Sequence, residues 1–143
     1  MSGFLLDTCV LSEFKKPQPD LGLYSWLASA DAAVAFISAI TLGELRYGID
    51  LLPATSKRHE LERWLVSEVM LDFAGRTIPV DSDVADRWGA IRARARLQGN
   101  TIPPVDGMLA ATALQRNLTI VTRNEAHFTM AGASVLNPWN GNS

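Results

Sequence analysis

The sequence predicts a single α/β domain, with a mostly parallel central sheet of about five strands flanked by helices on both faces. Three observations carry that expectation. Short apolar, β-rich runs end in polar residues, and segments of helical periodicity fill the gaps between them. The 143 residues suit one globular domain, and no repeat, low-complexity tract or long linker divides them. The composition, 48% hydrophobic and 20% charged, supplies a core and excludes a disordered chain.

Taken in order, the first strand is the run from Gly3 to Asp7, closed by its acid. The second is Ala33 to Ser38. The segment from Ile40 to Leu52 reads as a helix with Ile40, Leu42, Leu45, Tyr47, Ile49 and Leu51 on more than one side. A helix apolar all round is buried in a core or an interface, so a second copy of the chain or a protein partner is expected against it. Leu61, Trp64, Leu65 and Val69 repeat a helical pattern after Ser56. Thr77 to Val80 is a weaker third strand. From Asp81, the residues Val84, Trp88, Ile91 and Ala95 line one helix face, with Gly99 as the stop. Asp81, Asp83 and Asp86 begin that helix and Arg92, Arg94 and Arg96 end it, complementing its dipole. A further helix runs from about Val105 to Arg116, followed by strands at 118–122 and 133–136. The end, from Asn137 to Ser143, reads as a fraying terminus.

Charge and cysteine content narrow the function. Thirteen Lys+Arg against 15 Asp+Glu leave a net charge of −2, so nucleic acid cannot be bound by bulk charge and would need local features. Cys9 alone can form neither an intrachain disulfide nor a cysteine-based zinc site, which fits a reducing compartment. The start has neither the basic region nor the long apolar core of a signal peptide. The longest uncharged apolar stretch, between Asp31 and Glu44, is shorter than the ~20 residues that span a bilayer. A cytoplasmic protein is expected. Glycine-rich phosphate loops and a Gly-x-Ser-x-Gly elbow are missing. His59-Glu60 begins a zinc motif that Arg63 breaks where the second histidine belongs.

In parallel sheets ligands bind beyond the carboxyl ends of the strands, which directs attention to four positions. Asp7 closes the first strand, and Glu44 lies on the helix after the second. Asp106 opens the helix before the fourth strand, and Thr122-Arg123-Asn124 follows it. Carboxylates brought together there repel and call for a cation. Hard oxygens suit Mg²⁺, with Mn²⁺ as a substitute, and such an ion supports phosphodiester hydrolysis. Plainer roles compete: Asp7 can cap a helix, and Asp106 gains from a helix dipole. Glu44, between Leu42, Leu45 and Ile49, reads as a buried acid, which is rare unless paired. Thr8 and Thr122 are either hydroxyl donors to a phosphate or strand-end turn residues. His127 is a general acid, a metal ligand or a solvated loop residue. Lys15, Lys16, Arg46, Arg92, Arg94, Arg96 and Arg123 could form a rim for substrate phosphates, Arg46 and Arg123 being favoured. The competing reading of Arg92, Arg94 and Arg96 is a solvated helix face.

Four stretches carry a family resemblance: Phe4-Leu5-Leu6-Asp7-Thr8, the run from Ile37 to Leu45, the run from Pro104 to Ala113, and Leu118 to Asn124. In this order and spacing the chain resembles the PIN-domain ribonucleases, and among them the toxins of VapBC-type toxin–antitoxin pairs. The resemblance implies a PIN-like nuclease domain over residues 1–137 with a tail at 138–143. It implies a Mg²⁺-dependent endoribonuclease, a growth-inhibiting toxin neutralised by a cognate antitoxin. It also implies a homodimer, and a heterotetramer or larger assembly with the antitoxin. Asp7 and Asp106 then stand as metal ligands, with Glu44 as the third acid. Asn124 departs from the pattern, since family members often carry Asp there or in place of His127 before Phe128. Asparagine offers a carbonyl oxygen without charge, so a second metal would be held weakly. The alternative is a catalytically inactive PIN-type binding module. A phosphatase with Asp7 as nucleophile would need a second Asp where Cys9 stands.

Overall fold

The computed structural model describes residues 3–139. Five parallel strands, β1 (Phe4–Leu6), β2 (Ala35–Ser38), β3 (Thr77–Ile78), β4 (Thr119–Val121) and β5 (Val135–Leu136), form a sheet in the order β3-β2-β1-β4-β5. The strand order reverses direction between β1 and β4, so the connections leave this pair toward opposite edges. A crevice opens at such a switch point beyond the strand ends.

The pleat sends alternate side chains to opposite faces. Leu5 and Ile120 join the core beneath α6 (Ser82–Leu97), α7 (Pro104–Arg116) and α8 (Glu125–Met130), with Val84, Ile91, Leu109 and Phe128. Leu6, Ile37 and Val121 face α1 (Thr8–Glu13), α2 (Leu21–Ser29) and α3 (Ala39–Asp50), with Val10, Leu23, Leu45 and Ile49. Leu65 and Val69 join this second core from a rod in which α4 (Ser56–Trp64), a π-helical segment (Leu65–Val69) and α5 (Met70–Asp72) follow without a break. The sheet is thus covered on both faces, in agreement with the apolar runs.

Several boundaries differ from the sequence expectation, each for a local reason. β3 stops at Ile78 because Pro79 has no N–H for the ladder. Two helices, α2 and α8, lie where the hydrophobic period is too short to read. Asp20 caps the first of them, its side chain accepting from Leu23 N–H at 3.0 Å. α3 is not apolar all round in its burial. Thr41, Leu45 and Ile49 are buried, while Tyr47 and Leu51 are 69% and 67% exposed. The expected fraying does not begin at Asn137: Trp139 is 5% exposed and packs in the core under β4 and β5. Residues 140–143 of the expected tail lie outside the described residues. Gly99 ends α6 with φ +80°, as the helix stop requires.

Candidate active site

The site is built from the carboxyl edge of the sheet. The backbone N–H of Asp7 still belongs to the β1–β4 ladder, donating to the Val121 carbonyl at 3.0 Å. Its side chain then turns to cap α1, Oδ1 accepting from Thr8 N–H at 2.7 Å. Capping and a site role are therefore compatible in one carboxylate. Its other oxygen, Oδ2, accepts from the Thr122 hydroxyl at 2.8 Å and from the Cys9 thiol at 3.6 Å. Thr122 in turn accepts from the N–H of Asn124 at 3.0 Å. Thr122 is fully buried, so it orients Asp7 and cannot itself meet a phosphate.

Glu44 stands on α3, whose start is capped by Ser38 Oγ accepting from Ile40 N–H at 3.1 Å. The Thr8 hydroxyl donates to Glu44 Oε1, and lies 3.5 Å from the Thr41 hydroxyl. Thr8 is thus a positioning group for Glu44. The predicted burial of Glu44 is partial, because α3 presents it to a groove lined also by Ile40, Gly43, Tyr47 and Val105. Val105 precedes Asp106 in the first turn of α7, where Pro104 starts the helix without needing an N–H.

His127 Nδ1 lies 2.9 Å from Asp106 Oδ2. It is therefore not a freely solvated loop residue. It belongs to α8 and shares with Asp106, Asn124 and Glu125 a cleft of about 340 Å³. Sequence reasoning misses Glu125 as a site residue. Its carboxylate accepts from Asn137 Nδ2 at 3.0 Å. The available signal is its position beside Asn124 at a strand end.

Electrostatics tie the three acids together. Burial raises the Asp7 carboxyl above its ordinary value, against the lowering by Thr122 and Thr8, and the Asp106 charge raises it further. Burial also raises Glu44, and the charges of Asp7 and Asp106 add to it. The Cys9 thiol is pushed up to about 11 by burial and by the Asp7 charge. It stays protonated at neutral pH and acts as a weak donor, not as a nucleophile. Among the described residues no Lys or Arg pairs with Asp7, Glu44 or Asp106. Among the described residues no three His, Cys, Asp or Glu side chains lie together closely enough to hold a metal ion as they stand. The arrangement is one of hard oxygen donors whose charges oppose one another, with His127 beside Asp106 as their one titratable nitrogen partner among the described residues. Oxygen donors of this kind suit a hard divalent cation.

The expected basic rim divides. Arg46 lies 3.5 Å from Asp50, and Lys16 meets Glu13 at 2.9 Å. Lys15 sits over Trp64 and Arg123 over Trp139. Glu13, a buried acid that sequence reasoning misses, also accepts from Asp20 N–H at 2.9 Å. Lys16 lowers its carboxyl, and the backbone of Asp20 adds to that lowering. It fixes the α1–α2 connection, away from the three acids.

A parallel sheet with Asp7 at its switch point, and Glu44 and Asp106 near enough for their charges to be felt, defines an α/β protein with an acidic carboxyl edge. The PIN domain family model matches residues 4–132. Toxin FitB of Neisseria gonorrhoeae is 42% identical over 135 residues, covering 94% of this chain and 97% of the relative. A VapC ribonuclease of Sinorhizobium fredii is 36% identical, covering 94% and 96%. The crystal structure of FitAcB from Neisseria gonorrhoeae superposes with a TM-score of 0.91 at 41% identity, covering 96% of this chain and 99% of that one. The chain belongs to the PIN-domain family.

Proposed function

We propose that the protein is a metal-dependent endoribonuclease that hydrolyses RNA phosphodiester bonds, acting as a growth-inhibiting toxin in the cytoplasm. The observation that carries this reading is that the Asp106 charge raises both Asp7 and Glu44, while among the described residues no Lys or Arg pairs with any of the three acids. Similarity to a toxin and to a VapC ribonuclease supports it. Among the described residues no helix is long and apolar enough to cross a membrane.

In this reading Asp7 and Asp106 hold Mg²⁺ directly, and Mn²⁺ can replace it. The chemistry such an ion supplies when bound is positive charge beside the phosphate and easier ionisation of nearby water. The chain's own groups do the rest. Thr122 and the Thr8 backbone hold both oxygens of Asp7 in one orientation. Glu44, raised by burial and held by Thr8, is the acid suited to take a proton from the attacking water. His127 orients Asp106, and the Asn124 side chain offers a neutral oxygen at the same cleft.

A ribonuclease that stops the growth of its own cell needs an inhibitor, so a cognate antitoxin is part of the proposal. The exposed Tyr47 on α3 and Leu51 at its C-cap offer an apolar face for a second copy of the chain, giving a homodimer that antitoxin chains extend to a heterotetramer or larger. A second reading, an inactive binding module, draws on Asn124 in place of an acid and on the open ligand set.

Cleavage of structured RNAs by the purified, antitoxin-free protein separates the two. Mg²⁺- or Mn²⁺-dependent activity that disappears in EDTA and in Asp7→Asn is expected. Silence toward every RNA with every metal would leave the binding module.

A further inference from the structure

Several basic side chains of this chain are held in ion pairs or hydrogen bonds, whereas two that line a common pocket make no ion pair among the described residues. Arg46 and Arg58 face Asp50, Arg58 also meets Glu62, and Arg87 donates to Gln115 at 2.9 Å. Arg92 and Arg96, one turn apart on α6, make no ion pair among the described residues. The Arg92 guanidinium lies 4.7 Å over the Trp88 ring. Stacking fixes the plane of the group and leaves its edge donors free. Together with Asn100 and Thr101, the two arginines line a pocket of about 390 Å³.

We propose that this pocket is a phosphate-binding subsite that holds the RNA backbone on the α6 side of the acids. The proposal rests on the ribonuclease reading above. Position is the first argument. The pocket lies where α6 ends and the chain passes into α7, whose first turn carries Asp106. Trp88, which carries Arg92, packs directly on Gly107: a Cβ there would come 3.0 Å from Trp88 Cδ1. The same tryptophan thus touches both Arg92 of the pocket and Gly107, the neighbour of Asp106.

Charge is the second argument. The chain carries a net −2, and its three site acids repel a polyanion. A strand approaching them gains from fixed cations on the flank, as bonds to phosphate set position and register. Donor chemistry is the third. Two guanidinium groups offer paired N–H donors that match phosphate oxygens, and Asn100 and Thr101 add neutral donors beside them. Offsetting the helix dipole explains cations in the last turn of α6. It does not explain why Arg92, a turn earlier, shares a polar pocket with Arg96.

The test uses the full chain and a single-stranded RNA oligonucleotide. Binding is read by fluorescence anisotropy in EDTA over a salt series, and cleavage kinetics are read with Mg²⁺. The variants are Arg92→Ala, Arg96→Ala and their double. Arg116→Ala serves as the matched loss of charge, since Arg116 lines a pocket with Gly3 and Leu118, at the amino ends of the strands. Roughly tenfold weaker binding is expected for each arginine removed from the subsite, the strength of a charge-assisted hydrogen bond. The log–log salt slope should fall by about 0.7 for each phosphate that is no longer neutralised, and KM should rise with kcat unchanged. Arg116→Ala should bind as the wild type does. A wild type that cleaves RNA while the double variant keeps its KM and salt slope would overturn the subsite alone. So would an Arg116→Ala loss as large as that of the double. A wild type that neither binds nor cleaves RNA would overturn the ribonuclease reading and the subsite with it.

Discussion

The Thr122 hydroxyl donates to Asp7 Oδ2 at 2.8 Å, joining the ends of two adjacent parallel strands that lie 115 residues apart. Because Thr122 is fully buried and also accepts from Asn124 N–H, it couples the α8 turn to the Asp7 carboxylate. Thr122→Val keeps the shape and removes these two hydrogen bonds together with the 3.7 Å contact to Cys9 Sγ. A buried donor and acceptor left unmade cost about 1–3 kcal/mol each. Thermal melts should show a loss of that order, and Thr122→Ser should restore most of it. A Val variant as stable and as active as wild type would remove Thr122 from the positioning of Asp7.

Asp7 gives a pH signature. Burial raises its folded carboxyl above the unfolded value. Between the two values the folded chain binds more protons than the unfolded one, so stability falls with rising pH. This contribution is fully present below the ordinary carboxylate range and is lost as pH rises through the raised folded value. Asp7→Asn removes the titration. Without divalent ions, its melting temperature relative to wild type should climb with pH across that window and then level off. Divalent ions should stabilise the wild type more than the variant.

His127 holds Asp106 at 2.9 Å. Partners that orient a ligand typically contribute 10–100-fold to metal affinity or activity. His127→Ala should lower Mn²⁺ affinity, measured by calorimetry, by about that factor with the fold intact. Unchanged affinity would reduce the pair to a surface interaction.

Gly107 is set by close packing rather than by backbone conformation: an added Cβ would press on the Trp88 ring, which would have to give by a few tenths of an ångström. Its φ is not positive, and a Cβ would meet Trp88 at 3.0–3.1 Å. Gly107→Ala should cost about 1–3 kcal/mol through overpacking. It should also displace Asp106, its neighbour on α7, so RNA cleavage should fall along with the melting temperature.

Trp139 tests the end of the chain. It is buried in the core under β4 and β5, and emptying such a site costs about 3–5 kcal/mol. Trp139→Ala should show that loss in a denaturant titration, whereas a freely fraying end would show none.

The two-sided sheet is legible because buried parallel strands read as short apolar runs and their covering helices as a 3.6-residue period, from Leu5 to Ile120 and from Val84 to Ala95. Asp7, Glu44 and Asp106 stand out because each acid follows or precedes such a run at the carboxyl edge. α2 and α8 are not legible, since six to nine residues give too little periodicity against a polar background. The place of Trp139 is hidden as well, because burial of one side chain near a chain end leaves no local pattern.

Local propensity and periodicity therefore determined the class of fold, the strand sequence and the candidate acids, because each depends on neighbours along the chain. Tertiary structure alone decided which hydroxyl holds which carboxylate, that His127 turns to Asp106, and which arginines make no ion pair. Those outcomes depend on distances between segments as far apart as Asp7 and Thr122. Burial and charge coupling between such segments exist only once the sheet has brought the strand ends together.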